Sequence, residues 1–89
     1  MAKRRRKLNK DFEKKIYSSK KNVELVLAKI YDIDDEDIQK EYMSAFSQVV
    51  GLYNELKEDY DQQGFNENSE VLLKGYKNAH KLFESEFEI

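Results

Sequence analysis

Apolar residues recur at helical spacing in the first third of the chain. At about 100° per residue they fall within a sector of about 100°, the width of a core-facing helix surface. The stripe consists of Leu8, Phe12, Ile16, Val23, Val26, Leu27 and Ile30, with Ser19 as its polar member. Residues 18–22 are polar, but the stripe continues in phase after them. We therefore predict one helix over about residues 9–31, with Asn9 as its N-cap.

Two further helices are predicted after the acidic segment at residues 32–37. An aspartate can cap a helix, and neighbouring carboxylates suit the positive end of its dipole, so a second helix begins near residue 35. It ends at about residue 63, before Gly64, a residue favoured at left-handed caps. Its apolar stripe contains Ile38, Tyr42, Ala45, Phe46, Val49, Leu52, Tyr53, Leu56 and Tyr60.

Asn66 or Asn68 begins the third helix, which extends to about residue 87. Its apolar stripe contains Leu72, Tyr76, Ala79, Phe83 and Phe87. This stripe has two flanks, and both are expected to widen the apolar face. One flank consists of Val71, Gly75 and Leu82, and the other of Leu73 and His80.

The pattern predicts an all-α fold. The chain has no proline and three glycines among 89 residues, too few turn-forming residues for a fold of many short strands. Short loops favour antiparallel neighbours, so we expect a three-helix antiparallel bundle with helices at about 9–31, 35–63 and 68–87. Residues 9–89 form the single domain, and residues 1–8 a basic, flexible arm. The alternative is an extended hairpin that dimerises into a larger bundle.

The second helix has a long uncharged stretch, from residue 42 to residue 54, in a chain that is 38% charged. The side opposite its apolar stripe carries Ser44, Ser47, Gln48 and Gly51. Solvated helix surfaces are usually rich in charge, which favours an interface on this side. It is either central to the bundle or the seam of a homodimer, and the alternative is an exposed neutral face.

Charge is strongly polarised along the chain. The first 21 residues contain ten lysines and arginines against Asp11 and Glu13, a net charge of +8, whereas residues 22–89 carry −10. Such asymmetry indicates an electrostatic partner. The residues that we expect to bind nucleic acid or an acidic partner are Lys3, Arg4, Arg5, Arg6 and Lys7 in the arm, and Lys10, Lys14 and Lys21 on one outer helix face.

Candidate chemistry is scarce. The chain has no cysteine, and its only histidine, His80, is expected to be a packing residue. The carboxylates at 32–37 and 55–61 lack the spacing and glycine of an EF-hand, and no phosphate-binding loop is present. We expect no catalytic residue, no cofactor and no bound metal. No apolar run is long enough to cross a membrane, so we expect a cytoplasmic protein.

These observations predict a small non-enzymatic helical protein-interaction module, such as an adaptor, an inhibitor or an immunity-type factor. Its charge-polarised surfaces would steer and orient a protein partner, including a second copy of the chain. The alternative is a nucleic-acid-binding accessory protein that contacts phosphates through the basic arm and the first helix.

Overall fold

Residues 7–89, which the computed structural model describes, form three α-helices. These are α1 (Lys10–Tyr31), α2 (Glu36–Gln63) and α3 (Ser69–Phe87). The three predicted helices are confirmed, and each boundary lies within one residue of its predicted position. The described part of the chain measures 57 × 22 × 17 Å and is therefore rod-shaped.

Polar caps and one glycine define the helix ends. The Asn9 side chain accepts a hydrogen bond of 3.0 Å from the backbone N–H of Phe12, as predicted for an N-cap. Asp35 caps α2 by accepting from the N–H groups of Asp37 and Ile38. Gly64 ends α2 with φ 73° and ψ −164°, a backbone conformation that is essentially restricted to glycine.

The turn before α3 is organised by Asn66. Its side chain donates to the Asp59 carboxylate at 2.8 Å and accepts from the backbone N–H of Asn68 at 2.8 Å. Its own backbone N–H donates to the Ser69 hydroxyl at 2.9 Å. Asn68 is the N-cap residue of α3 but makes no side-chain capping bond. Asn66 therefore shapes the turn, although α3 itself begins three residues later.

The three helices bury one shared core. Phe12, near the start of α1, lies 5.6 Å from Tyr60, near the end of α2, measured between ring centroids. Tyr42, near the start of α2, lies 5.2 Å from Phe87, the last residue of α3. The buried apolar residues are Phe12, Ile16, Val23, Val26, Ile30, Phe46, Val49, Tyr53, Leu56, Tyr60, Leu73 and Tyr76.

Three residues of the predicted apolar stripes, Leu8, Ile38 and Ala45, are in fact exposed. Leu8 is 68% exposed because it precedes the first residue of α1, so helical periodicity does not apply to it. Ile38 is 45% exposed and lies in the first turn of α2, at the end of the bundle. On α3, the flank containing Leu73 and His80 faces the core, and the flank containing Val71 and Leu82 faces solvent.

Candidate binding groove

A groove of about 880 Å³ lies between α1 and α3. Five exposed lysines line it, two from α1 and three from α3: Lys14, Lys15, Lys74, Lys77 and Lys81. Two glutamates of α3, Glu70 and Glu84, also line it. The groove therefore has more positive than negative side chains, with negative charge at two positions.

Helical spacing explains why these lysines meet. Lys14, Ser18 and Asn22 follow one another at four-residue intervals on α1, on a side about a third of a turn from the buried stripe. Lys74, Lys77 and Lys81 are spaced by three and four residues on α3, so they also share a face. The three α3 lysines were not predicted as binding residues, because they lie in the part of the chain that has a net charge of −10.

A buried hydrogen bond joins the two walls of the groove. The hydroxyl of Tyr76 on α3 donates to the backbone carbonyl of Ser19 on α1 at 3.0 Å. The Ser19 hydroxyl in turn donates to the carbonyl of Lys15 at 2.8 Å, so it is satisfied within its own helix. Burial raises the pKa of Tyr76 to about 12, and the phenol stays protonated at neutral pH.

His80 lines the same groove but is only 2% exposed. Its Nδ1 lies 3.4 Å from Oε1 of Glu84, one turn further along α3. Its ring packs against Phe46 of α2 at 6.0 Å and against Tyr76 at 5.4 Å between centroids. Its Nε2 is buried and has no hydrogen-bond partner among residues 7–89. His80 therefore packs in the core, as expected, but nothing in the sequence indicated its unsatisfied nitrogen.

Exposed apolar residues accompany the lysines. Val71 lines the groove and is 70% exposed, and Leu82, eleven residues later on the same face of α3, is 71% exposed. On α1, Leu25 is exposed and follows the line of Ser18 and Asn22. Of these three residues, only Val71 adds apolar contact area to the groove itself.

The basic residues chosen from sequence have different positions. Lys3, Arg4, Arg5 and Arg6 lie outside the described residues. The carbonyl of Lys7 accepts a 2.6 Å hydrogen bond from the N–H of Phe65, and its ammonium lies 6.0 Å from the centre of that ring. Lys14 lines the groove, whereas Lys10 is exposed elsewhere on α1 and Lys21 lies 5.3 Å from the ring centre of Tyr17.

The uncharged side of α2 is exposed. Ser44, Ser47, Gln48 and Gly51 all face solvent rather than α1 or α3. The Ser47 hydroxyl donates to the Ser44 carbonyl at 2.6 Å, so it is used within the helix. Apart from its chain neighbours and the backbone of α2 around it, nothing lies within 4 Å of where a Cβ on Gly51 would stand. This surface is therefore free for a partner, and its role as a homodimer seam stays a prediction.

Acidic residues gather at the end of the rod that contains the α1–α2 turn. The acids of this turn and of the first turn of α2 are Asp32, Asp34, Asp35, Glu36 and Asp37. The end of α3 lies beside them, since the Tyr42 hydroxyl donates to Glu86 at 2.9 Å. This end of the rod therefore carries a cluster of acidic side chains.

Within residues 7–89, no group of three or more histidine, aspartate or glutamate side chains is arranged to hold a metal ion. No helix in the same part of the chain combines the length and the apolar character needed to span a bilayer.

Comparison with protein-family models, curated proteins and solved structures finds no match for this chain. Inference about its function therefore begins from the groove and the charges around it.

Proposed function

We propose that this chain is a small non-enzymatic protein-interaction module that docks an acidic amphipathic helix of a partner protein between α1 and α3. The observation that carries the proposal is the convergence of five exposed lysines on one groove. Opposite charges across an interface speed encounter, fix register and exclude wrong partners. A partner with glutamates or aspartates along its flanks has the complementary charge.

The shape and the apolar residues of the groove favour a helix as the occupant. Two neighbouring helices leave a long groove between them, and the ridge of a further helix packs into such a groove. Val71 is exposed where α3 lines the groove and offers an apolar contact there. An apolar side chain of a partner helix that lies along the groove can pack against Val71.

The two groove glutamates favour a protein over a nucleic acid. A phosphate backbone presents a continuous row of negative charge, which Glu70 and Glu84 would repel. A protein helix can place a lysine, a serine or an apolar residue opposite each glutamate. The acidic residues around the α1–α2 turn would also repel a long polyanion.

Nucleic-acid binding is the second candidate, since the same five lysines can contact phosphates. It would also use the arm residues Lys3, Arg4, Arg5 and Arg6. Replacing these four with serine, while keeping Lys7 and its contact with Phe65, should abolish retention on duplex DNA at low salt under this second candidate. The main proposal predicts instead that binding of an acidic helix is nearly unchanged.

Two finer features of the architecture belong to the same proposal. We infer an antiparallel order of the helices, supported by the pairing of Phe12 with Tyr60 and of Tyr42 with Phe87. We also keep the uncharged side of α2 as the seam of a homodimer, supported by its exposure in the single chain. Because that side lies outside the groove, both surfaces can be occupied at once.

The proposal is tested with a synthetic helix that carries leucines along one side and glutamates on both flanks. The groove variant replaces Lys74, Lys77 and Lys81 with glutamate. The control variant replaces three lysines that do not line the groove, Lys29, Lys40 and Lys57, and changes the net charge by the same amount.

We expect the groove variant to bind the acidic helix more than about tenfold more weakly than wild type, and the control variant to bind within about threefold of it. If both variants bind the acidic helix equally weakly, binding depends only on the overall charge of the protein. The groove would then not be the docking site. Circular dichroism checks that both variants remain helical.

A further inference from the structure

A second surface of the chain has the chemistry that the groove accepts. This surface, the acidic end, comprises residues 31–38 around the α1–α2 turn. It has no basic residue and presents five exposed carboxylates, those of Asp32, Asp34, Asp35, Glu36 and Asp37. Tyr31 and Ile38 are also exposed there. The acidic end therefore combines negative charge with apolar side chains, as the proposed occupant of the groove does.

Hydrogen bonds join the two helices that form the acidic end. The Gln39 side chain donates to the backbone carbonyls of Ile30 at 3.3 Å and Tyr31 at 3.1 Å, which ties the start of α2 to the end of α1. The Asp35 carboxylate accepts from two backbone N–H groups in the first turn of α2. Because the turn is already ordered, little conformational entropy is lost when it docks.

The groove and the acidic end cannot pair within one molecule. Lys14 and Asp32 are separated by about 27 Å along α1, from the helical rise per residue. Lys74 is about 20 Å from Phe87, the last residue of α3, by the same measure. An ion pair needs a nitrogen–oxygen distance of about 4 Å or less. These opposite charges can therefore meet only between different copies of the chain.

We infer that the partner docked in the groove is a second copy of this chain, whose acidic end lies between α1 and α3. This inference rests on the proposed function and identifies the acidic helix as the start of α2 together with the turn before it. Five lysines of one copy then face five carboxylates of the other. Complementary charge of this kind speeds encounter and fixes register.

This contact joins two different surfaces and is therefore heterologous. Each pair of copies keeps one free groove and one free acidic end, so further copies can add head to tail. We expect wild type to form assemblies that grow with protein concentration. They should dissociate when the ionic strength is raised from about 0.05 M to about 0.5 M, because salt screens exposed charges.

Two complementary variants test the inference by sedimentation at low salt. The groove variant, with glutamate at positions 74, 77 and 81, keeps its acidic end. The acidic-end variant keeps its groove and the Asp35 cap, and it carries Asp32→Asn, Asp34→Asn, Glu36→Gln and Asp37→Asn. Both variants, and the parent chain with which they are compared, carry Gly51→Glu, so that the uncharged side of α2 does not contribute to association.

We expect each variant alone to be monomeric and the mixture of the two to sediment as a one-to-one dimer. In the mixture, one intact groove meets one intact acidic end, and no further copy can add. Formation of this dimer also shows that both variants are folded. An excess of the synthetic acidic helix should dissociate the dimer, because the helix occupies the same groove.

A matched control removes the same number of negative charges from exposed positions outside the groove and the acidic end. It replaces four glutamates with glutamine in the parent chain: Glu24, Glu55, Glu58 and Glu67. We expect this control to self-associate with an affinity within about threefold of that of the parent. If it associates as weakly as the acidic-end variant, overall charge decides association and the inference is wrong.

The failure of this inference is distinguishable from failure of the proposed function. A mixture that stays monomeric would overturn the inference. So would a groove variant that self-associates as the parent does, since the acidic end would then bind elsewhere, such as on the basic arm. The proposed function stands in either case if the synthetic acidic helix binds wild type more than about tenfold more tightly than the groove variant. If both bind that helix equally, the proposed function fails as well.

Discussion

The hydroxyl of Tyr76 and the backbone carbonyl of Ser19 are 3.0 Å apart and form a hydrogen bond between α3 and α1. Both residues are buried, and both line the groove that carries the lysines. The bond therefore fixes the separation of the two groove walls at this level. It connects the stability of the bundle with the shape of the binding surface.

Removing this hydroxyl should destabilise the protein measurably. We expect Tyr76→Phe to lower the free energy of unfolding by about 1–2 kcal/mol, because the buried carbonyl of Ser19 loses the hydrogen bond from α3. Tyr17→Phe is the matched control, since the Tyr17 side chain is exposed, and we expect it to change stability by less than about 0.5 kcal/mol. Urea denaturation measures both. Equal stabilities of the two variants would show that the bond contributes nothing.

The same tyrosine predicts a loss of stability in alkali. Burial raises its pKa from 10.0 to about 12, so in this range the folded state keeps a proton that the unfolded state releases. Stability is therefore unaffected below the unfolded pKa and falls as the pH rises from about 10 to about 12. Burial also raises the pKa of Tyr53, which acts in the same direction. Melting temperatures across this range should fall less steeply for Tyr76→Phe than for wild type.

Helix capping gives a prediction with a built-in comparison. Asn9 and Asn68 both occupy N-cap positions, but only Asn9 accepts a hydrogen bond from its helix. We expect Asn9→Ala to cost about 1 kcal/mol in thermal or urea unfolding and Asn68→Ala to cost clearly less. If Asn68→Ala lowers stability more than Asn9→Ala, the capping hydrogen bond of Asn9 does not account for the relative stability of the two variants.

The uncharged side of α2 can be tested by sedimentation. A Cβ on Gly51 would meet nothing within 4 Å beyond its chain neighbours and the local backbone of α2, so Gly51→Glu should leave the monomer folded. If this side is a homodimer seam, wild type sediments as a dimer and Gly51→Glu as a monomer, because a buried unpaired carboxylate is strongly unfavourable. Gly75→Glu, at an equally open position on α3, should leave a dimer intact. If wild type sediments as a monomer, this side of α2 is not a homodimer interface.

Local features of the fold were predictable from the sequence. The caps at Asn9 and Asp35 and the helix end at Gly64 depend on residues within a few positions of one another. The side of α3 that faces the core was not predictable. Val71 and Leu82 on one flank are as apolar as Leu73 on the other, and the choice depends on packing of His80 against Phe46 of α2.

The groove could not be predicted from the sequence, for a related reason. Lys14 and Lys15 are about 60 residues from Lys74 and Lys77, so no window of sequence contains them all. The lysines of α1 and α3 come together only because of the way α3 is rotated about its axis. The flank of α3 that faces α2 determines the direction in which the α3 lysines project. The sequence-based prediction centred on the basic residues near the N-terminus. Three of the five groove lysines instead belong to α3.

Site-directed photo-crosslinking tests the docking of an acidic helix between α1 and α3 most directly. The chain has no cysteine, so Asn78→Cys in the groove and Ser47→Cys on the uncharged side of α2 each give one labelling site for a photoreactive group. We predict that the acidic helix crosslinks to the label at position 78 and not to the label at position 47. Equal crosslinking at the two positions, or crosslinking at position 47 alone, would contradict docking in the groove.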